Sequence, residues 1–297
     1  MTTQTLHQHD LSDFLFCRRK FNLHYNKGYS PKVLPTAFIV GGMFADAIEQ
    51  YHNGVDMMDI YAHIANMEAK ASSRCITQKE IDIIETRKAT IMAMVTGYDC
   101  NFDNDWESCE PEYRIEHQME KIVTSDYKII CRLDGFVIMK DGTHWVMELK
   151  TASQLRQDTI EKLPLNFQIL LYNYTLQRHL NKPVSGVIYR HIKKPTIRIK
   201  KSETPPMFQD RIMKEYMNNP EKYFNEEHIY FDTETMFEFE QELYDKIADL
   251  DTCYKTDRWY KNEINCTTKY GDCMYMPYCI NPSQETLETY VKQEDKL

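Results

Sequence analysis

The chain has 297 residues, of which 42% are hydrophobic and 27% charged, and these fractions are ordinary for a soluble globular protein. No apolar run approaches the roughly 18 residues that cross a bilayer, and the N-terminus lacks a secretory pattern, so we predict a cytoplasmic location and no membrane partner. The net charge of -9 argues against bulk attraction to nucleic acid but allows a local basic groove.

Helical periodicity dominates the first 110 residues. Apolar residues recur at helical spacing in "LSDFLFCRRKFNLHY", "PTAFIVGGMFADAIEQYH" and "DMMDIYAHIANMEAKAS". Thr77 and Glu80 have the spacing of a capping box, which predicts the start of one long helix. This part of the chain is therefore predicted to be mainly helical.

Residues 111–203 have the pattern of an α/β core. Alternating or β-rich segments, "EYRIEHQMEKIVTS", "YKIICRLDGFVIMK" and "THWVMELKT", predict three neighbouring strands, and "DG" at 141–142 predicts a hairpin turn. The segment "LPLNFQILLYNYTLQRHLN" has helical periodicity, and "VSGVIYRHIKK" again favours a strand.

Residues 204–285 return to helices and end in a cysteine-rich segment. Helices are predicted in "PPMFQDRIMKEYMNN" and "ETMFEFEQELYDKIADLDTCY", and residues 286–297 form a polar tail that we expect to be frayed. The whole predicts a single domain over residues 1–285, with a mixed α/β core flanked by helical segments from both ends of the chain.

Two acids and a lysine interrupt the predicted strands. Residues two apart project from the same face of a strand, so Glu148 and Lys150 point together, and Asp134 can reach them across the hairpin. Burying these charges is costly unless a hard cation such as Mg²⁺ or Mn²⁺ joins them, and Lys150 would then hold or deprotonate a water. The alternative is a surface Glu–Lys pair, with Asp134 capping a turn.

Two further patterns accompany these residues. Gln168 and Tyr172 are polar-tipped, lie four apart on one helix face, and suit contact with a phosphate or a metal site. The stretch "YRHIKKPTIRIKK" at 189–201 contains six basic residues and no acid. It favours either a nucleic-acid backbone contact or a solvated charged strand pair.

Three of the nine cysteines crowd into "CTTKYGDCMYMPYC" as Cys266, Cys273 and Cys279. In a chain without an export signal, cysteines are expected to be reduced thiols or metal ligands. The absence of C-x-x-C pairs disfavours a structural zinc site, and ordinary reduced thiols remain the alternative.

The segments "LDG", "ELKT" and "QILLY", in this order, resemble the PD-(D/E)XK nuclease superfamily, specifically its RecB-type branch with E-x-K and Q-x-x-x-Y motifs. The segment "LSDFLFCRRKFNLHY" is also similar to the start of such domains. The C-terminal cysteines resemble those of the iron–sulfur members, which include AddB-type nuclease domains and CRISPR-adaptation exonucleases. The resemblance extends from Ser12 to Cys279.

The resemblance implies a restriction-endonuclease-like core and a role for each matched residue. Asp134 and Glu148 would bind the metal, with the Leu149 carbonyl as a further ligand, Lys150 would be the catalytic lysine, and Gln168 and Tyr172 would position DNA and metal. The implied cofactor is Mg²⁺ or Mn²⁺.

Upstream, the family usually supplies a histidine in a G-x-x-x-H pattern. In "GMFADAIEQYH", Gly42 matches the glycine, but Asp46 stands in the position of the histidine. Asp46 is therefore either a metal ligand or a helix-surface acid, and His52 lies on a different turn and does not replace it.

The resemblance further implies a 4Fe-4S cluster held by Cys17, Cys266, Cys273 and Cys279, which would staple the two ends of the chain together. The gaps of six and five residues between the last three cysteines depart from the family, where two of them are often only two residues apart. Cys253 is an alternative ligand.

By resemblance, the chain is expected to be a Mg²⁺- or Mn²⁺-dependent deoxyribonuclease that hydrolyses phosphodiesters. We expect an exonuclease on single-stranded or end-bearing DNA in recombination, repair or phage DNA metabolism, with Arg190, Lys193 and Lys194 contacting the DNA backbone. The sequence does not identify a recombination or helicase partner. The alternatives are an inactive iron–sulfur DNA-binding module and a restriction-type endonuclease.

Overall fold

The computed structural model describes residues 3–32, 36–72, 77–119, 126–154, 157–268 and 271–292. Its helices, in chain order, are α1 Gln8–Phe16, α2 Arg18–Phe21, α3 Thr36–His52, α4 Met57–Ser72, α5 Gln78–Asn101, α6 Gln157–Ile160, α7 Phe167–Leu180, α8 Pro205–Asn218, α9 Pro220–Tyr223, α10 Thr233–Thr256, α11 Met276–Ile280 and α12 Gln284–Leu287. A π-helix over Asn22–Asn26 extends α2.

The strands are β1 Gln4–His7, β2 Tyr29–Pro31, β3 Trp106–Gln118, β4 Tyr127–Met139, β5 His144–Ala152, β6 Gly186–Lys193, β7 Phe224–Tyr230, β8 Thr267–Thr268, β9 Gly271–Asp272 and β10 Tyr290–Lys292. The chain forms two compact units, each assembled from separate segments. Unit 1 comprises residues 1–34, 115–131 and 232–297, and unit 2 comprises residues 35–114 and 132–231.

Unit 2 contains a mixed sheet in the order β4, β5, β6, β7. β5 pairs antiparallel with β4 and parallel with β6, and β7 pairs antiparallel with β6. Residues Trp145–Leu149 of β5 are all buried, as are Gly186–Ile192 of β6. Central strands of a sheet that is covered on both faces have continuous apolar sequences. This explains why β5 and β6 do not alternate between buried and exposed residues.

The turn between β4 and β5 follows the sequence prediction. The Met139 amide donates to the Thr143 carbonyl at 2.9 Å, and the Gly142 amide donates to the Met139 carbonyl at 2.8 Å. Gly142 has a φ of 82°, a left-handed conformation that glycine adopts without a Cβ clash. The predicted hairpin is therefore confirmed.

Helices α3, α4, α5 and α8 build the main apolar cluster of unit 2. Phe44, Ile64, Met94, Ile212 and Tyr216 are among its fully buried members. The predicted capping box of α5 is present. The Thr77 side chain accepts from the Glu80 backbone N–H, and the Glu80 side chain accepts from the Thr77 backbone N–H.

Unit 1 contains the parallel pair of β1 with the first residues of β4 and the antiparallel pair of β2 with β10. Leu23, Tyr275 and Tyr290 form a small buried cluster beside the second pair. The Tyr275 and Tyr290 rings stack with centroids 5.5 Å apart. The strands β1, β2, β7, β8, β9 and β10 were not predicted from the sequence.

The polar C-terminal tail is not frayed throughout, contrary to the prediction, because Tyr290–Lys292 pair with Tyr29–Pro31. The rest of the tail, 293–297, and the end of the first predicted strand, 120–125, lie outside the described residues. Among the helices that the structure describes, none has the length and apolar character to cross a membrane.

Gly97 lies where α5 approaches α8 and β7, and its replacement tests this packing. A Cβ at Gly97 would lie 2.6 Å from the Phe224 ring and 2.8 Å from the Tyr216 ring. Because both rings are buried, Gly97→Ala is expected to lower the free energy of unfolding by about 1–3 kcal/mol. Urea denaturation followed by circular dichroism measures this change.

Gly42→Ala is the matched control, because Gly42 is also helical and a Cβ there meets no atom within 4 Å. The control is expected to leave stability unchanged or to raise it by up to about 1 kcal/mol. Equal stabilities of Gly97→Ala and the wild-type protein would contradict the close approach.

Candidate active site

The centre of the site is Glu148, in the middle of β5. Glu148 is 0% exposed, and neither of its carboxylate oxygens accepts a hydrogen bond of ordinary geometry. Its one ion-pair partner among the described residues is the Lys150 ammonium, which lies on the same face of the strand and is partly exposed. The reading of this pair as a surface Glu–Lys pair does not fit a fully buried carboxylate.

Asp134 is held beside Glu148 by the hairpin. The last register pair of β4 and β5 is Gly135 with Met147, so the next step along the strands brings Asp134 next to Glu148. The Leu149 amide donates to Asp134 Oδ2 at 2.7 Å. The structure therefore brings Asp134, Glu148 and Lys150 together, as the sequence pattern indicated.

The electrostatics of these three groups are strongly linked. Burial raises the pKa of Glu148 to about 7, and the Asp134 carboxylate adds to this effect while Lys150 opposes it. Burial likewise raises the pKa of Asp134 against the opposing effect of Lys150. Burial acts to lower the pKa of Lys150, but Glu148 and Asp134 outweigh it, so the pKa of Lys150 is raised and the lysine is an ammonium.

Helix α7 carries Gln168 and Tyr172. Asn166 caps its N-terminus by accepting from the Gln168 amide at 2.9 Å and the Ile169 amide at 3.3 Å, which places Gln168 in the first turn. Gln168 Nε2 donates to Tyr172 Oη at 3.1 Å. The two side chains thus meet on one face of the helix, as their spacing predicted.

Asp46 of α3 is half-exposed and has partners of its own. His63 Nε2 lies 2.8 Å from Asp46 Oδ2, and Gln50 Nε2 donates to the same oxygen at 3.2 Å. Within the part of the chain that the structure describes, no three His, Cys, Asp or Glu side chains are placed to hold a metal ion. The role of Asp46 as a ligand therefore stays a prediction.

The residues around Glu148 nevertheless suit a hard cation. A fully buried carboxylate is costly, and the one lysine paired with Glu148 offsets only part of the negative charge of two neighbouring acids. Carboxylate and carbonyl oxygens are the donors that Mg²⁺ and Mn²⁺ prefer. The donor set of Asp134, Glu148 and the Leu149 carbonyl therefore fits such an ion.

Two residues near this site were not singled out from the sequence. Glu112 has a φ of 52°, forms an ion pair with Arg132, and has its pKa raised by burial and by Asp134 among other acids. The acid-rich alternation of "ESCEPEYRIE" points to it, but only the strand pairing places it near Asp134.

The second is His191, which pairs with Lys150 in the register of β5 and β6. Paired residues of parallel strands project to the same face of a sheet, so His191 shares the face of Lys150. The imidazole is buried, and neither ring nitrogen has a hydrogen-bond partner. The sequence alone does not reveal this neighbourhood, because the register was unknown.

Arg190 is not placed to contact DNA, which corrects its predicted role. The residue is 1% exposed, and its guanidinium donates to Glu226 at 2.7 Å and to the Tyr98 hydroxyl at 2.6 Å. It also stacks over the Phe102 and Trp106 rings at 4.6 and 4.8 Å. Arg190 is a structural cation in the core of unit 2.

Lys193 and Lys194 follow at the end of β6 and are both partly exposed. The Lys193 ammonium lies 5.6 Å from the Tyr223 ring centroid, and burial lowers the pKa of Lys194. The backbone after Lys193 has no regular structure up to residue 200, so the predicted strand ends inside the basic stretch.

The four predicted cluster cysteines all lie in unit 1 and are all free thiols. Asn262 and Asn265 donate to the Phe16 carbonyl at 3.0 and 2.7 Å, which ties the segment before Cys266 to the segment before Cys17. The Cys273 amide donates to the Cys266 carbonyl at 2.7 Å.

Burial raises the pKa of the Cys279 thiol, and its electrostatic neighbours include Cys17, Cys273 and the basic Lys261 and Arg19. The donor set is thus one of four thiols with cations nearby, which suits an anionic thiolate cluster. The described cysteine side chains are not arranged as a metal-ligand group.

Comparison with known proteins gives one family. The model of the PD-(D/E)XK nuclease superfamily matches residues 6–280. A solved structure from Eubacterium rectale, described as "Putative exonuclease", is similar with a TM-score of 0.50 and 11% identity over 99% of this chain and 91% of that chain.

A second solved structure, SSO0001, has a TM-score of 0.31 and 12% identity over 83% of this chain and 76% of that chain. At such identities, the likeness to the Eubacterium rectale structure shows the fold alone. No curated protein matches the sequence. Because the family model spans residues 6–280, the chain belongs to the PD-(D/E)XK nuclease superfamily.

Proposed function

We propose that the protein is a Mg²⁺- or Mn²⁺-dependent deoxyribonuclease that hydrolyses phosphodiesters at Asp134, Glu148 and Lys150. The observation that carries this proposal is the fully buried Glu148 carboxylate, whose one ion-pair partner among the described residues is Lys150 and which lies next to Asp134, in a chain that belongs to a nuclease superfamily. Buried ionisable groups with strongly shifted pKa values are typical of functional sites.

In this mechanism, Asp134, Glu148 and the Leu149 carbonyl would hold the divalent cation, with Asp46 as a further ligand. When bound, the cation stabilises charge on the phosphoryl oxygens and favours ionisation of water. Lys150, an ammonium with three donors, orients the attacking water and the phosphate. Gln168 and Tyr172, joined by their hydrogen bond, position the DNA from α7.

The proposed substrate is DNA with a free end or a single strand. The RecB-type branch that the motifs resemble is mostly end-processing, and the sequence contains no separate module that reads base sequence. A role in recombination, repair or phage DNA metabolism follows from the same resemblance. The rival substrate is internal sites of duplex DNA, as for a restriction-type endonuclease.

Replacing Lys150 tests the site directly. Lys150→Ala is expected to lower the rate of linear single-stranded DNA degradation with Mg²⁺ or Mn²⁺ by at least ~100-fold, because it removes the group that orients the water. Glu148→Gln is expected to act similarly. The rates are measured on gels with end-labelled DNA, and thermal unfolding checks that each variant is folded.

Lys182→Ala is the matched control, because Lys182 is an exposed lysine of the same unit that lies outside the site. Equal degradation by Lys150→Ala and the control would remove the proposed site. A wild-type protein that binds DNA without cutting it would favour the inactive-module alternative, and cleavage of closed circular plasmid would favour an endonuclease.

We further propose that Lys193 and Lys194, rather than Arg190, contact the DNA backbone. Replacing both Lys193 and Lys194 by Ala is expected to weaken DNA binding. The slope of log affinity against log salt concentration is expected to fall in magnitude by up to ~1.4, since each single-strand phosphate contact contributes ~0.7. Stability should change little because both side chains are partly exposed. Fluorescence anisotropy over a salt series measures the slope.

Arg190→Met is the contrasting variant. It removes the buried guanidinium that joins Glu226 and Tyr98, so it is expected to lower the midpoint of urea unfolding clearly. A folded, equally stable Arg190→Met protein with weakened DNA binding would reverse this assignment.

We also propose that Cys17, Cys266, Cys273 and Cys279 hold a 4Fe-4S cluster. The four thiols are contributed by one unit, and hydrogen bonds tie the Cys17 segment to the Cys266 segment. Such a cluster would offset the chain entropy of closing the long loop between the two ends. No catalytic step depends on it.

The cluster is tested by anaerobic purification. The protein is expected to be brown, with visible charge-transfer absorption and about four iron atoms per chain by metal analysis. Cys279→Ser is expected to lose iron, whereas the control Cys100→Ser, which alters an exposed cysteine outside the set, should retain it. Colourless protein without iron, or equal iron in both variants, would refute the cluster.

A further inference from the structure

Unit 1 contains a cavity of about 960 Å³ that takes no part in the proposed chemistry. Its lining comes from β1, the start of α1, the π-helix and the turn after it, together with α10 and β10. Pockets of about 300–1,000 Å³ hold small organic ligands, so the volume is far larger than an ion or a few waters need. The volume fits a ligand of nucleotide size.

One wall of the cavity is a short series of flat rings. The His7 and His9 imidazoles are stacked with centroids 5.4 Å apart and planes at 25°, and the Tyr25 ring lies 6.0 Å from His9. Flat aromatic faces on a pocket wall are surfaces on which nucleobases stack. His9 is 67% exposed at its side chain, so its outer face is accessible.

The rim of the cavity is basic. Lys27 and Lys292 both line it and are both exposed. Gly28, with a φ of 70°, turns the chain directly after Lys27, and the pairing of Lys292 with Tyr29 brings the second lysine next to this turn. Two ammonium groups at the mouth of a ring-lined pocket suit phosphate oxygens.

The acid in the lining does not oppose an anionic ligand strongly. Asp10 Oδ2 accepts from the His7 amide at 2.8 Å, and Asp10 Oδ1 lies 3.1 Å from His9 Nε2. Both oxygens are therefore engaged within the protein. The described residues contain no metal-ligand group, so the histidines are not assigned to a metal site.

We propose that this cavity binds a nucleotide unit of single-stranded nucleic acid, with the base against the His7, His9 and Tyr25 rings and phosphate on Lys27 and Lys292. The choice of nucleic acid rests on the proposed nuclease function, but the site is separate from the catalytic residues in the chain. The cavity is thus a second binding site for the substrate of the enzyme. It prefers unpaired bases, because the faces of bases in a stacked duplex are not accessible.

The experiment uses the full-length protein in EDTA, which prevents metal-dependent cleavage, and fluorescein-labelled oligo-dT. The double variant Lys27→Glu with Lys292→Glu is expected to raise the Kd at least tenfold and to lower the log–log salt slope by about 1.4, the value for two single-strand phosphates. Lys182→Glu together with Lys162→Glu is the control, since it changes the same charge at two exposed lysines outside the cavity.

His9→Ala tests the ring wall without a large change of charge, and it is expected to weaken oligo-dT binding while leaving the salt slope unchanged. An oligonucleotide with 5-iododeoxyuridine is expected to cross-link, on irradiation, to a peptide containing His9 or Tyr25, identified by mass spectrometry. This readout needs no variant, so it remains informative if a variant does not fold.

Competition separates two sources of the same chemistry. Displacement of labelled oligo-dT by dTMP, weakened in the Lys27→Glu, Lys292→Glu variant, shows that a single nucleotide fills the cavity. Without displacement by dTMP, a cross-link to His9 or Tyr25 shows that the cavity binds a nucleotide only as part of a strand. Cross-links confined to other peptides, or equal Kd and salt slope in the cavity and control variants, would overturn it.

Hydrolysis of the small diester bis(p-nitrophenyl) phosphate keeps the two proposals apart. The cavity variants are expected to retain this activity, whereas Lys150→Ala should lose it. Loss of diester hydrolysis with intact oligo-dT binding would count against a functional catalytic site and not against the cavity. Oligo-dT binding that the cavity variants do not weaken, with hydrolysis intact, would count against the cavity alone.

Discussion

The arrangement of the site follows from one ion pair placed in a buried part of a sheet. β5 and β6 are the central strands of unit 2, and both are covered on their two faces. A carboxylate in such a strand loses the free energy of its hydration. The ion pair with the Lys150 ammonium compensates only part of this loss for Glu148. Asp134, fixed by the Leu149 amide, adds a second negative charge. The proposed divalent cation would neutralise the negative charge that Lys150 leaves uncompensated.

The same sheet places Arg190 and the proposed catalytic lysine, Lys150, on opposite faces. Alternation along β6 sends Arg190 to one face and His191 to the other. On its face, Arg190 is enclosed by Tyr98, Phe102 and Glu226, where its charge is neutralised and its plane is stacked. On the other face, His191 is the register partner of Lys150. A basic side chain on β6 therefore faces either the core or the side of Lys150, because successive residues of a strand point to opposite faces.

Unit 1 contains the four cysteines of the proposed cluster and the ring-lined cavity, which lie apart from the catalytic residues in the chain. Hydrogen bonds from Asn262 and Asn265 to the Phe16 carbonyl tie the Cys17 segment to the Cys266 segment. The cysteine set and the cavity both depend on residues from the two ends of the chain, such as Tyr29 paired with Lys292. A link between the termini, by strand pairing or by metal–thiolate bonds, would therefore preserve the shape of the cavity as well.

The sequence by itself determined the elements whose causes are local. Periodicity and the Thr77 capping box predicted the long helix α5, the Asp141–Gly142 turn predicted the hairpin, and the i, i+2 spacing predicted that Glu148 and Lys150 share a face. These features depend on neighbours a few residues away, so the sequence carries them directly. The family resemblance was also readable, because its motifs are short and ordered.

Only the tertiary structure decided the features that depend on pairing between distant segments. It showed that Arg190 is enclosed by residues of α5 and β7, that Tyr290–Lys292 form a strand, and that His191 lies beside Lys150. A positive charge or a polar tail has the same sequence pattern whether it is solvated or enclosed. The difference is set by strand register and by which apolar surfaces meet, and these are properties of the folded chain rather than of any local stretch.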